Sequence, residues 1–326
     1  MLGRLATTMA AAWVAVLCPT AIEPALAQAP YPNRPIRIVV PFAAGGSTDL
    51  VARLVAQGMT TVLGQQVVVE NRSGAGGLVG TKSVVTADPD GTTVLFGYAA
   101  NVSSVFHKVN AVDAAKELLP VSNTAITPLV LFTGGKLPVR TLQDLVAHAK
   151  ASPPGKLNLA VQSPNAELVM HMIKNTTGIT FTPVQYKGSQ PATTAVLAGE
   201  ADLFINAWLP LGDHVSSGRA KAILYAAPKR NDLFPDVPLA RDMGLQLIES
   251  SAANMGFWTT RGSPQELVTR ISRAAVASAQ VPEVADAVRK AGFVVLGTGP
   301  EEQLKAHDAE VKFYTEAARL ANYVPQ

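Results

Sequence analysis

The sequence is poor in several features that carry chemistry in other proteins. It has one cysteine, Cys18, so it cannot form an internal disulfide or a multi-cysteine metal site. Charged residues make up 16%, and Lys plus Arg exceed Asp plus Glu by only 27 to 24. Basic runs interleaved with aromatic residues are lacking, so nucleic acid is not an expected partner. No apolar stretch reaches the roughly 18–20 residues that span a bilayer.

Catalytic and metal-binding motifs are also lacking. The five histidines are scattered, without the i,i+4 pair of a zinc helix, and neither a G-x-S-x-G nor a G-x-x-x-x-G-K-[ST] motif is present. Residues 74–80 (GAGGLVG) approach a dinucleotide fingerprint, but Val79 stands where its last glycine belongs, so a tight strand-to-helix turn is the better interpretation. We therefore expect no metal, no cofactor and no catalytic residues.

The first residues have the pattern of an export signal. Arg4 precedes the apolar run of residues 9–18 (MAAAWVAVLC), and residues 25–27 (ALA) fit the small-x-small rule for cleavage. The pattern predicts a cleaved signal peptide over residues 1–27 and a periplasmic location. Cleavage would remove Cys18, and a mature chain without cysteine suits an oxidising compartment.

Beyond residue 27, strand and helix patterns alternate. A hydrophobic content of 48% is ample for a large core, and a helix is predicted over residues 47–63, where Gly64 ends it. The predicted strands are residues 36–42, 66–70, 93–98, 129–133, 157–161, 181–186, 203–206 and 222–226. This alternation predicts an α/β protein with mainly parallel sheets and helices on both faces.

The strongest local pattern is a glycine pair between a strand and a helix, in residues 40–49 (VPFAAGGSTD). Glycine lets the backbone approach a ligand closely, and Ser47 is a typical cap for the helix that follows. The first N–H groups of a helix have no partner within it, so with the helix dipole they form an anion site. Asp49 has two open interpretations, a residue that complements the dipole or one that orients a ligand.

Motifs along the whole mature chain resemble those of one family. They are YPNRPIRIVVPF (31–42), GGSTDLVAR (45–53), VVENRSGAGGLVG (68–80), PDG (89–91), PGKLN (154–158), YKGS (186–189), GEAD (199–202) and PDVP (235–238). In this order and spacing, the chain resembles the periplasmic receptors of tripartite tricarboxylate transporters, the Bug or TctC-like family.

The resemblance implies a two-lobe, type II periplasmic-binding-protein fold that closes on a small carboxylate. Residues 28–130 plus 255–326 would form lobe 1, and residues 131–254 would form lobe 2. The ligand-binding residues carried over from the family are Phe42, Ala43, Ala44, Gly45, Gly46, Ser47 and Asp49 in lobe 1, with Tyr186, Lys187 and Gly188 in lobe 2.

One segment departs from the family pattern. The second carboxylate of a family ligand is normally held by a glycine-containing turn, but residues 162–170 (QSPNAELVM) have no glycine and place Glu167 where one belongs. Two alternatives follow: either Ser163 or Asn165 supplies the donors, or the distal end of the ligand is not anionic. Because Glu167 would repel a second carboxylate, we expect a monocarboxylate to be preferred over citrate-like acids.

A second, smaller departure concerns Asn206 and Trp208, which replace a segment where acidic residues are common in the family. Asn206 is expected at the cleft. Trp208 is either a surface on which an apolar or aromatic ligand body stacks or an aromatic residue of a satellite core.

The sequence thus predicts a non-enzymatic, monomeric solute receptor. It would capture a small organic acid and deliver it to the membrane permease subunits of a tripartite tricarboxylate-type transporter. The alternatives are an orphan or signalling receptor for a non-carboxylate ligand and an enzyme on the same fold.

Overall fold

Two β-sheets with flanking helices make up the part of the chain that the computed structural model describes, which is residues 31–186, 189–209, 211–231 and 234–325. The predicted signal peptide and the predicted ligand-binding residues Lys187 and Gly188 lie outside the described residues. Pro32 begins one compact unit that holds both sheets. No helix within the described residues has both the length and the apolar character that crossing a membrane requires.

The secondary-structure elements alternate for most of the chain. The strands are β1 (Ile36–Val40), β2 (Val67–Asn71), β3 (Thr93–Gly97), β4 (Leu118–Thr127), β5 (Leu129–Gly134), β6 (Leu157–Val161), β7 (Phe181–Gln185), β8 (Leu203–Asn206), β9 (Ala220–Ala226), β10 (Ala253–Thr260) and β11 (Val294–Thr298). The α-helices are α1 (Ser47–Leu63), α2 (Leu78–Val85), α3 (Ala114–Glu117), α4 (Leu142–Ala151), α5 (Pro164–Thr177), α6 (Ser189–Ala198), α7 (Gly212–Ser216), α8 (Gln265–Ala279), α9 (Pro282–Lys290) and α10 (Pro300–Ala321). Short 3-10 helices span Ala75–Gly77, Ala99–Val102, Ala240–Met243 and Gln246–Ser251.

The first sheet has the strand order β11-β4-β10-β3-β1-β2. β1 runs parallel to β2 and β3, whereas β10 is antiparallel to both β3 and β4. Part of its core joins Val39 of β1, Leu95 of β3 and Trp258 of β10. Central strands such as β3 are buried on both faces, which is why they are continuous apolar runs.

The second sheet has the order β7-β6-β8-β5-β9. β6 is parallel to β7 and β8, while β5 is antiparallel to β8 and β9. The α/β two-lobe class is therefore confirmed, but the sheets are mixed rather than mainly parallel. One reason is that β4, β10 and β11, which the sequence pattern did not reveal, all pair antiparallel within the first sheet. In the second sheet the predicted strand β5 is antiparallel to both of its neighbours.

The chain passes from the first sheet to the second at Pro128, between β4 and β5, and returns between β9 and β10. α10 contributes to both halves. Gln303 in its first turns bonds the backbone of Val121 and Phe257 in the first sheet. Further along, Phe313 and Tyr314 join the core under the second sheet. The lobe boundaries at residues 131 and 254 stay a prediction.

Candidate functional site

A cavity of about 310 Å³ lies between the two halves. It adjoins the carboxyl ends of β1, β6 and β8, where open α/β sheets bind ligands. Sixteen residues line it, and Asp, Glu, Lys, Arg and His are all missing from this set of described residues. A ligand in this cavity therefore meets backbone groups, hydroxyls and amides, with Phe42 and Leu129 as apolar surface.

The loop after β1 is held in shape by Asp49, which is only 4% exposed. The Gly45 N–H donates to its Oδ2 at 2.9 Å, and Arg53 Nε donates to the same atom at 3.0 Å. Asn71 Nδ2 donates to its Oδ1 at 2.9 Å. Burial alone would raise the Asp49 pKa, but these three donors hold it below its ordinary value. Asp49 therefore stabilises the conformation of the loop through these hydrogen bonds.

The same loop is fixed by its neighbours. Asn71 Nδ2 also donates to the Phe42 carbonyl oxygen at 3.1 Å. Gly80 in α2 packs directly on the loop, since a Cβ there would lie 2.7 Å from the Pro41 Cα and 2.7 Å from the Arg72 carbonyl oxygen. The tight, closely packed turn predicted for residues 74–80 is thus confirmed, with Gly74, Gly76 and Gly77 all at positive φ.

α1 begins at the cavity, and its first N–H groups have no hydrogen-bond acceptor within the helix. Gly46 is the N-cap residue, and it has no side chain to donate or accept. The prediction that Ser47 caps the helix is wrong by one position, because Ser47 is already the first helical residue. Gly46, Ser47 and Thr48 line the cavity, while Ala43 and Ala44 are exposed. Gly45 supports the turn through its φ of 80°.

Two more helices begin at the same cavity from the opposite half. Ser163 is the N-cap of α5 and makes no side-chain cap bond, and Pro164 takes the first helical position, where its missing N–H costs nothing. Asn165 and Ala166 follow in that first turn and line the cavity with Ser163. Ser189, the first residue of α6, lines it as well. Three N-termini therefore surround one uncharged space.

The remaining walls are polar side chains at strand ends. The Tyr98 hydroxyl lies 2.7 Å from Thr127 Oγ1, and burial raises the Tyr98 pKa, so this hydroxyl is neutral. Asn206, 8% exposed, accepts at Oδ1 from the Ala207 N–H (2.8 Å), which fixes Nδ2 as its donor end. That Nδ2 is buried without a protein partner. An orphaned donor at the cavity wall is a place for a ligand or water oxygen.

Glu167 and Tyr186 lie at the edge of this arrangement. Gln185 Nε2 donates to Glu167 Oε2 at 3.3 Å, so the carboxylate is directed toward the end of β7. Tyr186 follows β7, donates its backbone N–H to the Val161 carbonyl oxygen at 2.8 Å, and packs against the core cluster that contains Phe132 and Phe204. Whether Glu167 selects among ligands stays a prediction.

Trp208 packs within the protein. Its ring stacks on Phe234 with a centroid distance of 3.9 Å and an interplanar angle of 18°. Its Cβ lies so close to Gly292 that a Cβ added to the glycine would be 2.6 Å away. Of the two interpretations of Trp208, the structure therefore supports the satellite-core residue.

Several cavity residues were missed from sequence, among them Tyr98, Asn101, Thr127 and Gln162. Tyr98, Thr127 and Gln162 lie at or just after strand ends, and Asn101 lies in the short 3-10 helix after β3. Polar residues in such positions are common in ordinary turns. The available signal was position, since Tyr98 ends one predicted strand and Gln162 directly follows another. No group of three or more His, Cys, Asp or Glu arranged for a metal ion occurs in the described part of the chain.

This geometry defines a class: a two-lobe binding protein whose cleft is built from helix N-termini and uncharged polar groups. Residues 51–312 match the model of the tripartite tricarboxylate transporter family receptor (TctC). The chain belongs to that family. It is 35% identical to the protein BugT of Bordetella pertussis over 224 residues, which cover 66% of this chain and 67% of BugT.

Solved structures show the same relationship. The Rpa4515 protein of R. palustris, determined with adipate, superposes with a TM-score of 0.80 at 27% identity, covering 91% of this chain and 100% of that one. MatC of Rhodopseudomonas palustris, with bound malate, gives a TM-score of 0.74 at 27% identity, covering 88% of this chain and 99% of that one.

Proposed function

We propose that this protein is a periplasmic receptor that binds a small carboxylate in the cavity between its two halves and presents it to a tripartite tricarboxylate-type permease. The observation that carries the proposal is the convergence of the α1, α5 and α6 N-termini on a space without charged side chains.

The energetics favour an anion. Each helix N-terminus carries roughly half a positive charge, and it stabilises a nearby anion by about 0.3–1 kcal/mol, more in partly buried sites. Three of them contribute about 1–3 kcal/mol together. Unpaired N–H groups of Thr48 and Ala166, with Asn206 Nδ2, supply donors for carboxylate oxygens. A cation in the same place would meet these positive ends without a countercharge.

Adipate and malate in the related structures support a carboxylate ligand for this chain. A receptor is favoured over an enzyme because the cavity-lining residues include hydroxyls and amides but no group that is a base near neutral pH. Delivery to a permease, the periplasmic location and a monomeric state rest on family membership and on the export pattern of residues 1–27.

The first test is a calorimetric titration of the mature protein with adipate, malate and short monocarboxylates, and with the amide of each acid. The acids should bind and their neutral amides should not. If no acid binds, or if the amides bind equally well, the proposed carboxylate site is wrong.

A matched pair of variants localises the site. Ser47→Glu places a negative charge at the α1 N-terminus, where it stabilises the helix but repels a bound carboxylate by on the order of 4 kcal/mol at 4 Å and an effective dielectric of 20. Ser47→Gln introduces a side chain of nearly the same size as glutamate but without a charge. Ser47→Glu should lose at least 30-fold more affinity than Ser47→Gln. Equal affinities would place the ligand elsewhere.

Export and cleavage of residues 1–27 are tested by a separate measurement. Intact-mass measurement on protein from a periplasmic fraction should find a chain that begins at Gln28. Retention of residues 1–27 in that fraction would contradict the predicted cleavage.

A further inference from the structure

A second cavity of about 520 Å³ adjoins the carboxylate cavity. Four residues line both spaces and form the boundary between them: Phe42, Asn101, Ser163 and Asn165. We call the second space the side chamber. Like the first cavity, it lies between the halves, since Pro164 of α5 faces residues that follow β1, β2 and β3.

The lining of the side chamber is chemically different from that of the carboxylate cavity. Phe42, Leu78, Phe106, Val109 and Pro164 supply most of its surface, and Asp, Glu, Lys and Arg are missing from its described lining residues. Its one titratable lining residue, His107, already has its Nε2 3.1 Å from the Asn101 carbonyl oxygen. The side chamber is therefore the more apolar of the two spaces, and its polar groups include Asn110 and the amides and hydroxyl at the shared boundary.

Size and continuity indicate what occupies the chamber. The carboxylate cavity alone has the volume for a small acid, and the combined space of the two cavities falls within the range of small-molecule sites, roughly 300–1,000 Å³. Apolar lining with a few polar groups at one end is typical of sites for amphipathic ligands.

We propose that the ligand is a monocarboxylate with an extended apolar body, an alkyl or aryl chain, which enters the side chamber while its carboxylate lies at the helix N-termini. This inference rests on the proposed function. It replaces Trp208 as the apolar surface with Phe42, Leu78 and Phe106, and it agrees with the expected preference for a single carboxylate.

The experiment is a calorimetric titration with straight-chain monocarboxylates from butanoate to octanoate, below their micelle concentrations. Each methylene that enters the chamber should tighten binding about fourfold, which corresponds to about 0.8 kcal/mol. The heat-capacity change of binding should become more negative with chain length. Binding of every acid with equal affinity would overturn the inference while leaving the carboxylate site intact. Failure of every monocarboxylate to bind while adipate or malate binds would also overturn the inference alone, whereas failure of adipate and malate as well would overturn both.

Val109 allows the chain-length effect to be assigned to the chamber. Its side chain is 70% exposed at the rim, so Val109→Asp should fold normally. The variant should flatten the dependence of affinity on chain length for the longer acids. Val62→Asp makes the same change at a 50% exposed valine of α1 outside the chamber and should match the parent. An unchanged chain-length dependence in Val109→Asp would contradict the placement of the tail.

Discussion

Glu310 makes the stability of this protein depend on pH. It lies on α10, is 2% exposed, and accepts at Oε2 from Asn254 Nδ2 at 3.0 Å and from the Asn254 N–H at 3.3 Å. Its Oε1 has no partner. Burial raises the pKa of Glu310 to about 7, against an ordinary value of 4.5. Burial raises the pKa of two phenols, Tyr98 at the cavity and Tyr314, and the charge of Glu310 adds to both shifts.

The sign of the effect follows from proton binding. Between pH 4.5 and 7 the folded protein holds a proton on Glu310 that the unfolded chain has released, so stability falls as pH rises through this window. The raised pKa of Glu310 lowers the free energy of unfolding by roughly 3 kcal/mol above pH 7 and by less than about 1 kcal/mol at pH 5. Glu310→Gln removes the titration and keeps an acceptor for Asn254.

The assay is the melting temperature of parent and Glu310→Gln at pH 5, 6, 7 and 8. The difference in unfolding free energy between Glu310→Gln and the parent should shift in favour of the variant by about 2–3 kcal/mol from pH 5 to pH 8. For a chain of this size, that corresponds to about 5 °C in melting temperature. Glu302→Gln, an exposed change on the same helix, is the matched control and should show no such trend. A difference between Glu310→Gln and parent that does not change with pH would refute the burial argument.

Three further predictions concern the site and its support. Glu167→Gln should improve binding of succinate severalfold and leave butanoate unchanged, as measured by calorimetry; no gain for succinate would place this carboxylate outside the site. Gly80→Ala should lower the melting temperature by several degrees because its Cβ meets backbone at 2.7 Å, whereas Gly46→Ala, with its nearest atom at 3.4 Å, should not; equal melting temperatures would contradict the packing. Asp49→Asn should cost about 1–3 kcal/mol of unfolding free energy in denaturant titrations, and an unchanged midpoint would show that the loop does not need this anion.

Sequence reasoning succeeded where local chemistry decides the structure. The end of α1 was predicted as observed because Gly64 stops the helix in the left-handed conformation, whereas the cap at its start is Gly46 and not the expected Ser47. Thr141 and Asp144 form a capping box at the start of α4, and their three-residue spacing can be recognised in the sequence. The Gly-Gly loop was found because a glycine pair between a strand and a helix has few other uses.

The missed elements depend on distant partners. β4 (LLPVSNTAIT) contains a proline and buried polar residues, and β10 (ANMGFWTT) contains Gly256, where a Cβ would lie 2.7 Å from the Ser122 carbonyl oxygen. Both are strands because they pair with each other across more than a hundred residues, a fact that periodicity does not contain. The side chamber is missed for the same reason, since Leu78, Phe106 and Pro164 meet only in the folded chain.

The central position of β10 in the first sheet affects when the protein can fold. β3 and β4 are joined in the sheet only through β10, which forms backbone hydrogen bonds with both. They therefore cannot be joined until residues 253–260 have been synthesised. A ribosome adding about 5–20 residues per second therefore spends many seconds on a chain whose first sheet is incomplete. Such late closure gives high contact order and slow folding. An incomplete first sheet during most of synthesis is compatible with the proposed export, because a chain that is exported unfolded has to cross the membrane before β10 closes this sheet.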